Sequence, residues 1–140
     1  MERIAAALES ADGLPGLLDA AWMAFEAILS LSATYADTDA GFFTALVYAM
    51  PAAADGRDAI ITAPSTPARP AGQEPVGTYH LLHGDSAGEA AASMAALSAV
   101  LAARLTAAAC SASDREDRAA CLIGARHAGE IHALLAPTQQ

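Results

Sequence analysis

Lysine and asparagine are absent from this 140-residue chain, and aromatic residues make up only 5% of it. With no lysine, the seven basic side chains are all arginine, set against sixteen acids for a net charge of −9. A chain this acidic lacks the basic face on which nucleic acid binds. It is also repelled from anionic lipid. Two cysteines are a poor basis for a disulfide and lack the spacing of a zinc site. There is no P-loop, dinucleotide glycine fingerprint, C-x-x-C pair, H-E-x-x-H or EF-hand loop, so the local motifs of those chemistries are missing.

Alanine fills the gap. The chain is 54% hydrophobic, and 39 of its residues are alanine. The mean hydropathy of +0.32 therefore does not imply a membrane protein. No window offers the ~20 strongly apolar residues of a span. The best candidate, Ala87–Cys110, is interrupted by Glu89, Ser93, Ser98, Arg104 and Thr106. Met1-Glu2-Arg3 lacks the basic start and long apolar stretch of a signal peptide. These features predict a cytoplasmic protein with no membrane and no nucleic-acid partner. The length predicts one domain over 1–140.

Helical signals dominate. Arg3–Glu9 reads as a short alanine-rich helix, and Pro15 suits the first turn of the next. Leu18, Trp22, Phe25 and Leu29 recur at helical spacing, an amphipathic stripe that continues to Tyr35. Asp37 or Thr38 can cap a third helix, with Asp39 in its first turn. Its apolar side is Phe42, Leu46 and Ala49 beside Phe43, Val47 and Met50, and Pro51 is expected to end it. Ile60–Thr62 and Thr78–His83 are strand-like, and between them 64–77 is a Pro-rich loop. Ser86 with Glu89, and Ser113 with Glu116, fit capping boxes. Each opens a long helix, with seams Met94, Leu97, Leu101, Leu105 and Ile123, His127, Ile131, Leu134. The tight turn at Ser111-Ala112 makes the two antiparallel neighbours. On that register Cys110 and Cys121 stand ~10 Å apart along the axis, beyond a disulfide's reach, so both read as small buried thiols. The predicted fold is an all-α antiparallel four-helix bundle: Pro15–Tyr35, Asp39–Met50, Ala87–Cys110 and Asp114–Ala136. A Pro-rich excursion, with a small β-hairpin as one form, separates helices 3 and 4.

Two polar features break the pattern. His127 sits between Ile123 and Ile131, and Glu130 follows on the same side of the helix. One helix carrying His and Glu at i, i+3 supplies two ligands to one ion. With Glu26 and His83 they form a candidate site for a divalent transition metal. The arrangement bears a thin resemblance to ferritin-like di-metal proteins. Those pair Glu and His on two helices with two further Glu, whereas here one pair exists, in reverse order. Arg126–Glu130 also reads as an ordinary i,i+4 ion pair.

Gly84-Asp85-Ser86-Ala87-Gly88 matches G-x-S-x-G, the nucleophile elbow. The letters GDSAG look like those of the hormone-sensitive-lipase-like esterases. That resemblance implies Ser86 as nucleophile, with Asp114 or Asp117 and then His127 or His132 as partners. No HGGG-type segment precedes it, and the chain has at most two strand-like runs. The same letters fit an N-cap.

Together these readings predict a non-catalytic helical module that binds a protein or a small molecule and needs no cofactor. Its ligand pocket would lie near Trp22, Phe25, Tyr48 and His127. A short third helix leaves apolar surface uncovered, which predicts a homodimer. The alternative is a metal-binding helical-bundle enzyme or carrier using His127, Glu130, Glu26 and His83. A remoter alternative is a serine hydrolase using Ser86.

Overall fold

The computed structural model describes residues 1–68 and 86–137. They form five helices and no strand: α1 (Glu2–Ser10), α2 (Leu14–Tyr35), α3 (Ala40–Ile61), α4 (Ala87–Ser111) and α5 (Arg115–Leu135). The all-α expectation holds, with five helices rather than the four of the expected bundle; the fifth, α1, falls on the short helix expected over Arg3–Glu9. The hairpin expected around 64–77 and Thr78–His83 falls largely outside the described residues.

The broadest interfaces are α4–α5, α3–α5 and α2–α3, while α1 packs on α2 and α4. Alanine sets how closely the helices approach. The core holds many alanines around Phe25, Leu18, Ile28, Leu46, Ile60, Met94, Leu101 and Ile131. Gly56 of α3 lies flat under the Phe25 ring. A β-carbon there would stand 2.9 Å from the ring's Cδ1, with two further ring atoms closer still. Gly124 of α5 faces both Leu105 and Ile60, at 3.0 and 3.1 Å from the place of its missing β-carbon. Phe42 covers Gly88 at the start of α4. Where two serines enter the core they are satisfied: Ser98 Oγ donates to the Met94 carbonyl at 2.7 Å, and Ser32 Oγ lies 3.7 Å from Met94 Sδ.

Helix ends follow capping chemistry. Pro15 occupies the first turn of α2. Ser86 Oγ accepts from Glu89 N at 3.1 Å, as the capping box predicts. Two caps differ from expectation by one or two positions. Asp39, rather than Asp37 or Thr38, caps α3 by accepting from Gly41 N at 2.8 Å. Asp114, rather than Ser113, caps α5 by accepting from the amides of Glu116 and Asp117. A carboxylate is the better acceptor at a positive helix end. The carbonyls at the end of α1 are met from another helix. Arg104 of α4 donates from Nε to Leu8 O at 3.0 Å and from Nη2 to Ala11 O at 3.1 Å.

Three sequence expectations are corrected. Pro51 does not end α3, which continues to Ile61 and takes in the strand-like Ile60-Ile61. Proline removes the hydrogen bond to the carbonyl four residues back. Here that carbonyl belongs to Val47, and both Pro51 and Val47 are exposed, so water can satisfy it. The α5 seam is rotated. Its buried line is Asp117, Cys121, Gly124, Ala128, Ile131 and Leu135, whereas Ile123 and Leu134 are exposed. The small residues are inside because they admit the close neighbours α3 and α4. Finally, α2 and α4 each contain an 18-residue window of mean hydropathy 1.4 and 1.5, long and apolar enough to cross a membrane by length and composition. In the bundle 50% and 39% of those windows are buried.

Asp117 joins the end of the α3 region to α5. It is buried, and it accepts from Ser65 N at 3.0 Å and from Ser65 Oγ at 2.6 Å. Removing the carboxylate strands two donors and takes away a negative charge placed favourably in the first helical turn. Asp117→Ala is expected to lower stability by about 2 kcal/mol, and Asp117→Asn, which keeps one acceptor, by less. Urea denaturation followed by circular dichroism checks both. Equal stability of Asp117→Ala and the parent would contradict the anchoring role.

Candidate functional site

The residues proposed for a metal are only partly brought together. On α5, His127 is half-buried, and its Nδ1 lies 3.3 Å from Glu130 Oε2. Glu130 also meets Arg126 Nε at 3.4 Å, the i,i+4 pair expected from the sequence. Glu26 is committed elsewhere: its carboxylate accepts a hydrogen bond from Arg57 Nη1, tying α2 to α3. Arg57 Nε also donates to Asp58 Oδ1 at 3.2 Å. The Glu26 hydrogen bond outweighs partial burial and holds the Arg57 guanidinium above its ordinary pKa. His83 lies outside the described residues. Among those described, no three His, Cys, Asp or Glu side chains gather closely enough to hold an ion.

The four residues expected around a ligand pocket have different placements. Phe25 is fully buried against Gly56, so its ring fills the core instead of lining a space. Trp22 is half-buried on α2. Tyr48 stands on the outside of α3, 62% exposed. His127 is occupied with Glu130 on α5.

Ser86 is an exposed helix cap. Besides the Glu89 amide, its Oγ lies 3.3 Å from Glu89 Oε1. No histidine or aspartate among the described residues touches it. The residues proposed as its partners are engaged otherwise: Asp117 with Ser65, Asp114 with the α5 amides, and His127 with Glu130. His132 Nδ1 bonds the Ala95 carbonyl at 3.0 Å. Gly84 and Asp85 lie outside the described residues. Both cysteines are free thiols, but only Cys121 is buried, while Cys110 is exposed at the end of α4. Burial, with the Asp117 charge adding to it, pushes the Cys121 thiol up, which makes it a poor nucleophile.

The molecule's most distinctive surface carries no sequence motif. Its exposed large apolar side chains, among the described residues, are Phe43, Val47, Tyr48, Ile61, Leu122, Ile123 and Leu134. All lie on α3 or α5, two helices that pack broadly against each other. None lies on α1, α2 or α4. Scattered apolar exposure is ordinary on a protein surface, whereas its concentration marks contact surface. The helices around this surface carry little net charge, as does α4 with one Glu against one Arg. α5 carries three Arg against three acids, and α3 carries one Arg against two Asp. The two helices thus hold one of the nine net negative charges of the chain. The signal was present in the sequence as Ile123 and Leu134, read there as core. Comparison with protein-family models, curated proteins and solved structures gave no match.

Proposed function

We propose that this protein is a non-catalytic, cytoplasmic interaction module that works as a homodimer, with the α3–α5 face of each copy against that of the other. The observation that carries this reading is the confinement of the exposed large hydrophobics to α3 and α5. In this reading α2–α5 form an antiparallel four-helix bundle, and α1 is a strap held by Arg104. Supporting contacts run in opposite order along each pair. Ala95 meets His132 and Leu105 meets Gly124 between α4 and α5. Ile60 meets Gly124, and Ser65 just beyond α3 meets Asp117. That register brings Ile61 level with Leu122 and Ile123, and Tyr48 level with Leu134.

The choice of a second copy as the occupant follows from charge. Two molecules each carrying −9 repel one another wherever their acids face. α3 and α5 together carry one net negative charge and α4 carries none, but only α3 and α5 add exposed large apolar side chains, so two copies that meet there bury apolar area at little electrostatic cost. A two-fold pairing uses the same patch twice. Hydrogen–deuterium exchange at low and high micromolar concentration tests the assignment. Amides of α3 and α5 are expected to slow as concentration rises, with α1 unchanged. Exchange that is independent of concentration, or slowing confined to other helices, would overturn it.

A further inference from the structure

A cavity of about 440 Å³ opens where the end of α1, the start of α2 and the turn between α4 and α5 converge. Leu14, Leu17 and Ala108 supply apolar wall, and Arg104, Ser111 and Ser113 supply polar side chains. Its volume lies in the range of small-molecule sites, roughly 300–1,000 Å³. Among the described residues no acidic one lines it, in a chain of net charge −9. The neighbouring acids are accounted for. Asp12 is exposed, and Asp114 accepts the amides that begin α5.

Arg104 is half-buried and makes no ion pair. Its Nε and Nη2 each donate to a carbonyl at the end of α1. A guanidinium presents five donors in a rigid fork. Among the described residues the remaining donors of that fork meet no acceptor, beside a cavity whose described lining holds no carboxylate. The two α1 bonds also hold the fork in place, so a ligand meets a fixed cation.

We infer that this cavity binds a small organic monocarboxylate. The carboxylate takes charge-assisted hydrogen bonds from Arg104 and a hydrogen bond from the Ser113 hydroxyl. Its apolar body lies against Leu14, Leu17 and Ala108. A single charge fits a single arginine, because the surrounding acidic chain opposes any further negative charge. The site is separate from the α3–α5 face, and neither assignment depends on the other.

Isothermal titration with octanoate, 1-octanol and octylammonium, each below its aggregation threshold, tests the assignment. Octanoate is expected to bind at least tenfold more tightly than the other two. Arg104→Gln removes that preference. Because Arg104 also holds α1, a second variant keeps it: Ala108→Leu fills the cavity and weakens octanoate at least tenfold, with an unchanged circular dichroism spectrum. No binding of octanoate by the parent protein would overturn the inference. So would equal binding of 1-octanol, or octanoate binding that survives both variants.

Discussion

Truncating Phe25 to alanine is expected to destabilise the protein by about 3–5 kcal/mol, the largest single-residue effect in the core. The ring is fully buried and rests on Gly56 across the α2–α3 interface, a neighbour with no side chain to fill the gap. Gly56→Ala in the parent is expected to cost about 1–3 kcal/mol, since the new methyl group overlaps the ring. That cost is reduced by the roughly 1 kcal/mol by which alanine favours a helix over glycine. In the Phe25→Ala background the obstruction is gone, so Gly56→Ala should instead stabilise, by up to about 1 kcal/mol. The reversal of sign separates a steric contact from a general helix effect, and a double-mutant cycle from denaturant titrations reads it directly. A destabilising Gly56→Ala in both backgrounds would mean that Phe25 is not its steric partner.

Placing a carboxylate on the α3–α5 face is expected to break the proposed dimer while leaving the fold intact. Tyr48 and Ile123 are exposed, so Tyr48→Glu with Ile123→Glu adds no strain to the isolated chain. In a two-fold dimer each substitution occurs twice, and each puts an unpaired charge into apolar contact. A penalty of only about 3 kcal/mol corresponds to roughly a hundredfold weaker association. The matched control is Ala92→Glu with Ala99→Glu, two exposed positions on α4. It changes the net charge equally and should leave association far less affected. Association lost equally in both variants would point to net charge rather than to this face. Loss of the helical spectrum in the Tyr48 and Ile123 variant would show that those residues support the fold.

The contrast between α4 and α5 explains what the sequence made legible. In α4 the bulky residues Met94, Leu97, Leu101 and Leu105 are the buried ones, and the Ser86 cap marks the start. Its position and inner face follow from spacing alone. In α5 the same rule fails. Gly124 and Ala128 are inside, facing α3 and α4, so that larger residues fall outside. Hydrophobic periodicity assumes that size marks the core, and an alanine-rich bundle breaks that assumption wherever two helices come close. Tyr48 stands outside for the same reason, since Ala49, Ala52 and Ala53 line the inner side of α3. Pro51 misled because the strength of a helix stop depends on whether its freed carbonyl faces water. The pairing of Glu26 with Arg57 and of Asp117 with Ser65 joins residues far apart in sequence, and no local pattern announces such partners. The cavity beside Arg104 was equally hidden, because its lining comes from the α1–α2 connection, α2, α4 and the turn before α5.

The α3–α5 assignment rests on self-association, which sedimentation equilibrium of the untagged protein across the micromolar range measures most directly. The chain mass is 14.1 kDa. A concentration-dependent rise to twice that mass is expected, abolished by Tyr48→Glu with Ile123→Glu. A single species of 14.1 kDa throughout the range would contradict it.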